Sequence, residues 1–399
     1  MIAPEPFFEP RGTPFSEFHR IRALTALGHT VDLVTYPFGE NVSMPGLRVF
    51  RALRPPFVHR VKIGPSLAKI PLDALLALTA MRRALFTRPR YDAIHSHEEG
   101  GVIGVALAAV LGVPHLYDMH SSLPQQLTNF AFSGSRLLRR AFLLVERLMI
   151  RRSRVVIVIC PTLGDTVREI DPQARLVLIE NAPGSAEGEA TPAQAAAVRR
   201  QFSVAPTTPL VLYTGTFEAY QGLDLLFEAL ALVRASRPEV RLLLAGGKPE
   251  QVTRARDAAR AAGIEAEAIF AGERPASEIP AYLLAADVLV SPRSRGTNTP
   301  LKIYQYLRSG RAIVATRLLT HTQVLSDETA ILTDASPAAF AAGILDALND
   351  PSRAAAVGRA ARHLAETKYS YDAYLERTRQ ACAALVSAAP PAVAVKDLA

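Results

Sequence analysis

Two doubly wound α/β lobes, each built on a parallel sheet, are what this sequence predicts, and three observations predict them. At 399 residues the chain is too long for one ordinary core and fits two lobes of somewhat under about two hundred residues each. Short β-branched runs alternate with longer amphipathic stretches, as in a parallel sheet covered by helices. The alternation breaks once, at Asn181–Pro192, where Pro183, Gly184, Ser185, Gly188 and Pro192 crowd together without periodicity, and then restarts.

The opening Met1-Ile2-Ala3 is followed at once by Pro4, Pro6, Pro10 and Gly12, so it reads as a first strand cut short, as by a start codon placed too late. Phe15, Phe18, Ile21, Leu24 and Leu27 recur at helical spacing and Gly28 follows as a stop, which predicts a helix packed on the sheet. Strands are expected at Thr30–Thr35, Asp92–His95, Pro114–Tyr117, Val155–Ile159 and Leu176–Ile179. Gly100 to Tyr117 contains no charged residue and approaches the length of a membrane span. Pro114 and His115 argue against one; the run reads as a buried helix through about Leu111, a stop at Gly112 and a short strand.

In the second lobe, Leu210–Tyr213, Arg241–Ala245, Ala268–Ala271, Asp287–Val290 and Ala312–Ala315 read as strands, each followed by a helix-forming stretch. A last helix is expected from about Tyr371 to Ser387, before a frayed Pro-Pro tail. The expected boundaries are a first lobe at 1–183, a linker at 184–207, a second lobe at 208–368 and a terminal segment at 369–399.

Apolar residues make up 49% and charged residues 21%, a globular composition. Cys160 and Cys382 show no metal-type or Cys-x-x-Cys spacing, and no signal peptide opens the chain, which fits a reducing cytosol. Of the net charge of +8, most falls in the first half: residues 1–185 carry 22 Lys+Arg against 15 Asp+Glu, residues 186–399 carry 23 against 22. Arg136, Arg139, Arg140, Arg147, Arg151, Arg152 and Arg154 flank the apolar run Ala141–Val145. Such a helix packs in a core with solvated arginine edges or lies on the anionic inner face of a membrane. No nucleic-acid partner is expected.

In doubly wound sheets the ligand crevice lies beyond the carboxyl ends of the strands, so the segments after each strand hold the candidates. The most informative runs from Ser291 to Lys302, a polar loop leading into a helix that opens near Pro300. Free N–H groups at that helix start, with Arg293, Arg295 and Lys302, form a cradle for a diphosphate leaving group, on which charge develops as a glycosidic bond breaks. Gly215 and Gly222 bracket a short loop where a ligand can approach the backbone, short of a full dinucleotide fingerprint. His95, His97 and His120 end or follow first-lobe strands, and His120, beside Asp118 and two serines, is the candidate catalytic group. With no clustered acidic partners in the sequence, no metal site is expected there.

The ordered set Arg11-Gly-Thr13, Ala26-Leu-Gly-His-Thr-Val31, Tyr91-Asp-Ala-Ile-His-Ser-His97, Leu212-Tyr-Thr-Gly215, Gly222-Leu-Asp-Leu-Leu226, Ala286-Asp-Val-Leu-Val-Ser-Pro292 and Pro300-Leu-Lys-Ile-Tyr-Gln-Tyr-Leu-Arg-Ser-Gly310 resembles glycosyltransferase family 4 across nearly the whole chain. The resemblance implies the GT-B fold, two Rossmann-like domains facing across a cleft, with a terminal helix returning to the first. It implies retaining, metal-independent and cofactor-free transfer from a nucleotide-sugar donor to a glycan or lipid-linked acceptor. His120 is then catalytic. The donor meets Gly12, Thr13, Gly215, Thr216, Gln221, Arg293, Arg295, Thr297, Asn298, Thr299, Lys302 and Gln305. The acceptor is read by the loops His59–Lys69 and Ser121–Ser135.

Four positions depart from the family's pattern. An Arg and a Lys that hold the donor phosphates are replaced by Thr216 and Gln221, and two Glu by Thr297 and Gln305. The expectation is that Arg293, Arg295 and Lys302 neutralise the phosphates while Gln305 or Thr297 meets ribose or sugar through neutral hydrogen bonds. A noncatalytic partner subunit is the main rival. A sugar-nucleotide epimerase would need acid/base carboxylates, for which only Glu98, Glu99 and Asp118 are candidates. A phosphorylase would need a lysine context for pyridoxal phosphate that is not evident.

Overall fold

A computed structural model describes residues 1–9, 12–58, 69–124, 135–180 and 189–387. Arg11, most of the two expected acceptor loops, the start of the expected linker and the tail lie outside the described residues. The chain divides into two compact units, Met1–Asn181 with Asp372–Ala399, and Ala182–Tyr371.

The first unit holds a seven-stranded parallel sheet of β1 (Ile2–Ala3), β2 (Val31–Thr35), β3 (Leu47–Arg51), β4 (Ile94–His97), β5 (His115–Met119), β6 (Val155–Val158) and β7 (Leu176–Leu178), in the order β3-β2-β1-β4-β5-β6-β7. The two-residue β1 sits inside the sheet, Ile2 pairing with Val34 on one side and Ser96 on the other. Edge strand β3, unforeseen in sequence, carries two arginines in five residues and presents no apolar run; Arg48 pairs across to Asp32 at 2.6 Å.

The expected first helix forms over Gly12–Ala26, its buried Ile21 and Leu24 clustering with Val31 and Leu33 of β2. The uncharged run forms a helix, Gly101–Leu111, stopped by Gly112 at φ 68°, and leads into β5. No described helix is long and apolar enough to cross a membrane. Helix Arg136–Arg152 turns Glu146, Met149 and Ile150 inward and leaves Leu137, Leu144 and Leu148 exposed among its arginines.

The second unit's parallel sheet comprises β8 (Leu210–Thr214), β9 (Arg241–Ala245), β10 (Ala268–Gly272), β11 (Val288–Ser291), β12 (Ala312–Thr316) and β13 (Ile331–Thr333), ordered β10-β9-β8-β11-β12-β13. Alternate residues of β8 enter two different apolar clusters, Leu210 and Leu212 one, Val211 and Tyr213 the other, so the sheet is buried on both faces. This is why its strands read as unbroken apolar runs. The expected linker contains a helix, Pro192–Gln201, capped by a reciprocal Thr191–Gln194 pair, whose Ala195 and Val198 join the second core. The last described helix, Tyr371–Val386, begins where the second unit ends.

Candidate functional site

Strand order reverses between β1 and β4 in the first sheet and between β8 and β11 in the second. At such switch points loops diverge and leave a crevice for ligand.

In the first unit, β4 and β5 end side by side, with His97 opposite Asp118. This gathers His95, His97, Asp118 and His120, of which sequence singled out only His120 for catalysis. Asp118 is fully buried; Arg20 Nε donates to its Oδ2 at 2.9 Å. His95 Nε2 lies 3.4 Å from Oδ2 and His120 Nε2 3.3 Å from Oδ1. Burial alone would raise the Asp118 carboxyl, but Arg20 and then His120 hold it well below the usual carboxylate range. Burial pushes His95 and His97 below the ordinary imidazole range. His97 Nδ1 meets His120 Nε2 at 3.2 Å, and the His95 and His97 rings stack at 4.8 Å.

His95, His97 and Asp118 also have one potential metal-ligating atom each within 4.8 Å of the others, so the sequence argument that no acid clusters with the histidines needs correction. The chain crossover that joins β4 to β5 supplies that acid. Arg20 already occupies it, and a guanidinium at 2.9 Å opposes a second cation.

The loop after β5 is fixed from below, where Ser122 Oγ and Leu123 N donate to the buried Glu146 at 3.1 and 2.6 Å. Ser121 Oγ donates to Glu98 at 3.0 Å, and Glu98, at φ 45°, has its carboxyl raised well above normal by burial and then by Glu99. Lys69 pairs with Glu99. Gly12, at φ 54°, is exposed and opens the first helix, with Thr13 half-buried behind it. Arg20 left no sequence signal, since it lies one position from the helix's apolar stripe and gains its role only from a strand 98 positions away.

In the second unit the helix after β11 runs over Lys302–Ser309, following a turn at Pro300 and Leu301. Lys302 is buried beneath the loop after β8: its Nζ donates to the Thr214 carbonyl at 3.0 Å and lies 3.8 Å from the centre of the Tyr213 ring. A Cβ on Gly215 would stand 3.5 Å from that nitrogen. Burial, then Arg293, pushes the ammonium well below the ordinary lysine range. Among the described residues no carboxylate pairs with it.

Arg293 is held by the loop it was expected to serve, its Nη1 donating to the Asn298 carbonyl and Thr320 Oγ1, both at 2.6 Å, beside the Tyr220 ring. Arg295 is exposed. Thr299 and Gln221 are buried, and neither the Thr299 hydroxyl nor Gln221 Oε1 has a partner among the described residues. The Thr216 carbonyl accepts from Tyr213 at 2.7 Å, the Thr297 carbonyl from Gln323 at 2.6 Å, and Gln305 is half-buried on the Lys302–Ser309 helix. Gly222 is required by contact: a Cβ there would lie 2.0 Å from the Pro292 carbonyl oxygen.

Sequence reading missed His321. Its Nδ1 donates to the Thr316 carbonyl at 2.7 Å, so its Nε2 accepts from Ser291 Oγ at 2.8 Å. Thr316 Oγ1 in turn donates to the Arg293 carbonyl at 2.7 Å, tying the loop after β11 to the end of β12.

Comparison with known proteins agrees with this architecture. The family model "Glycosyl transferase 4-like domain" matches residues 19–182 and "Glycosyl transferases group 1" matches residues 195–364. A D-inositol 3-phosphate glycosyltransferase of Arthrobacter sp. (strain FB24) is 30% identical over 334 residues, covering 76% of this chain and 75% of the relative. One from Pseudarthrobacter chlorophenolicus is 28% identical over 348 residues, covering 80% and 81%. Sucrose-phosphate synthase from Thermosynechococcus elongatus shares the fold with a TM-score of 0.80 at 20% identity, over 97% of this chain and 99% of that one. The chain belongs to the group 1 glycosyltransferases of the family 4 type, enzymes of GT-B fold that take sugar from a nucleotide-sugar donor.

Proposed function

We propose a retaining, metal-independent transfer in which Lys302 grips the donor diphosphate and the acceptor hydroxyl reacts beside His120. One observation carries this reading: Lys302 is a buried ammonium that gives one hydrogen bond to a carbonyl and has no anion to pair with among the described residues. An unpaired buried cation is costly, and a diphosphate would answer it. As the bond to the anomeric carbon breaks, its electron pair moves onto the diphosphate oxygen. A fixed positive charge stabilises that state without reorganising. Gly215 allows the donor to approach, and Thr299, Gln221 and Gln305 are neutral partners for phosphate oxygens or ribose. Arg293 supports this loop and adds positive potential; exposed Arg295 reaches the same loop from solvent. On the first unit, Asp118 holds His120 for the reacting sugar, and Gly12 and Thr13 border the donor.

The two inositol-phosphate relatives act, by name, on a small phosphorylated cyclitol. Here the exposed leucines and flanking arginines of helix Arg136–Arg152 favour a glycan or lipid-linked acceptor met at an anionic membrane surface.

A thermal-shift screen against UDP-, GDP-, ADP-, CMP- and dTDP-sugars identifies the donor, because stabilisation rises with the logarithm of ligand concentration over its dissociation constant. Lys302→Ala is expected to weaken that donor by about 1.5–3 kcal/mol. Unchanged affinity would remove Lys302 from the donor site, and NMR of the first-formed product tests whether the anomeric configuration is retained.

A further inference from the structure

We infer that His97 is a positioning residue for the transfer reaction: its buried Nδ1 accepts the Nε2 proton of His120, beside the Asp118 carboxylate, and so fixes the ring and tautomer of His120. This rests on the reading of His120 as the group beside the reacting sugar.

The geometry sets the proton inventory. His120 Nε2 lies 3.3 Å from Asp118 Oδ1 and 3.2 Å from His97 Nδ1. Arg20, 2.9 Å from Asp118, keeps that carboxyl ionised, and an ionised oxygen does not face a nitrogen lone pair. The proton therefore sits on His120 Nε2, hydrogen-bonded to His97 Nδ1 with Asp118 Oδ1 alongside as its ionic neighbour. His97 must then present a lone pair at Nδ1 and carry its own proton on Nε2. That Nε2 is fully buried and has no partner among the described residues. An orphaned buried N–H is a cost, but the opposite tautomer would set proton against proton at the His120 contact.

The His97 ring is stacked on His95 at 4.8 Å with an angle of 16°, and its centre lies 5.3 Å from that of His120, which holds its plane. The charged or titratable groups acting on His97 are Asp118, His95, His120 and Arg20.

The test compares H97A, H97N, H97Q and H120A in the full chain with the donor found above. Asparagine places its amide oxygen where Nδ1 stands, whereas glutamine reaches only the Nε2 position. H97A and H97Q are expected to lower kcat about tenfold or more while the donor KM stays within about twofold, since general acid–base assistance is worth about 10²–10⁴-fold. H97N should recover most of the loss. Equal losses in H97N and H97Q overturn the inference. Full turnover in H120A would instead remove the reading of His120, whereas loss in H120A with none in H97A removes His97 alone. Should H97A fail to fold, nitrogen NMR of the wild-type imidazoles decides: an unprotonated His97 Nδ1 is expected, and a protonated one refutes the tautomer.

Discussion

In the proposed donor site Lys302 brings a buried charge that no carboxylate among the described residues answers, and Gln305 brings no charge where the family pattern has a glutamate. Burial lowers the Lys302 ammonium in the free protein, and a bound diphosphate would raise it again. Donor affinity should therefore be flat below the free-state pKa and fall as pH climbs through it. Gln305, half-buried on the same helix, can give ribose only a neutral hydrogen bond, about half as strong as a charge-assisted one. Gln305→Glu should be tolerated or should tighten a ribonucleotide donor, and discrimination against deoxyribose should be weak in the parent. Calorimetry on both proteins with ribo- and deoxyribonucleotide checks this; outright rejection of deoxyribose by the parent contradicts it. At this scale sequence reached the motif residues but not their commitments. Lys302, Arg293 and Arg295 looked like three equivalent cations, yet only the fold reveals that Arg293 is tied to Asn298 and Thr320 and that Lys302 lies buried.

Strand ends become a site only when something holds their loops, and His321 does this for β11 and β12. His321→Ala would leave the Ser291 hydroxyl and the Thr316 carbonyl without that partner, at about 1–3 kcal/mol each. The folded pKa of His321, lowered by burial to about 3 from 6.5, means that the unfolded chain takes up a proton the folded chain refuses between those values. Its contribution is complete above pH 6.5 and declines as pH falls towards 3, with about 2 kcal/mol gone by pH 5. Denaturant unfolding at pH 7 and pH 5 should show this component in the parent and not in H321A. Helix Arg136–Arg152 carries a different expectation: it should bind anionic vesicles and release them as salt rises, because surface attraction is screened within about 8–10 Å. Equal partition onto neutral vesicles would exclude charge as the cause. The helix was legible from its arginines, but not Glu146, whose inward turn is decided by the loop it supports.

At the scale of the molecule, the two sheets were readable because buried parallel strands announce themselves as apolar runs, whereas β3 and the three-residue β13 were too short or too charged to do so. The second unit interrupts the first in sequence, so that Asp372–Ala399 groups with Met1–Asn181. Arg20, which holds Asp118, is itself held by Thr378 at 3.3 Å and faces the Tyr374 ring at 5.0 Å. Thr378 is 358 positions from Arg20. On a ribosome adding about 5–20 residues per second, Arg20 waits roughly 20–70 s for Thr378 to be made. The second unit, contiguous in sequence, can complete itself in that interval. A nascent chain therefore carries Asp118 and its neighbouring histidines on a half-supported strand end until Thr378 has been made, long after the strand itself has left the ribosome.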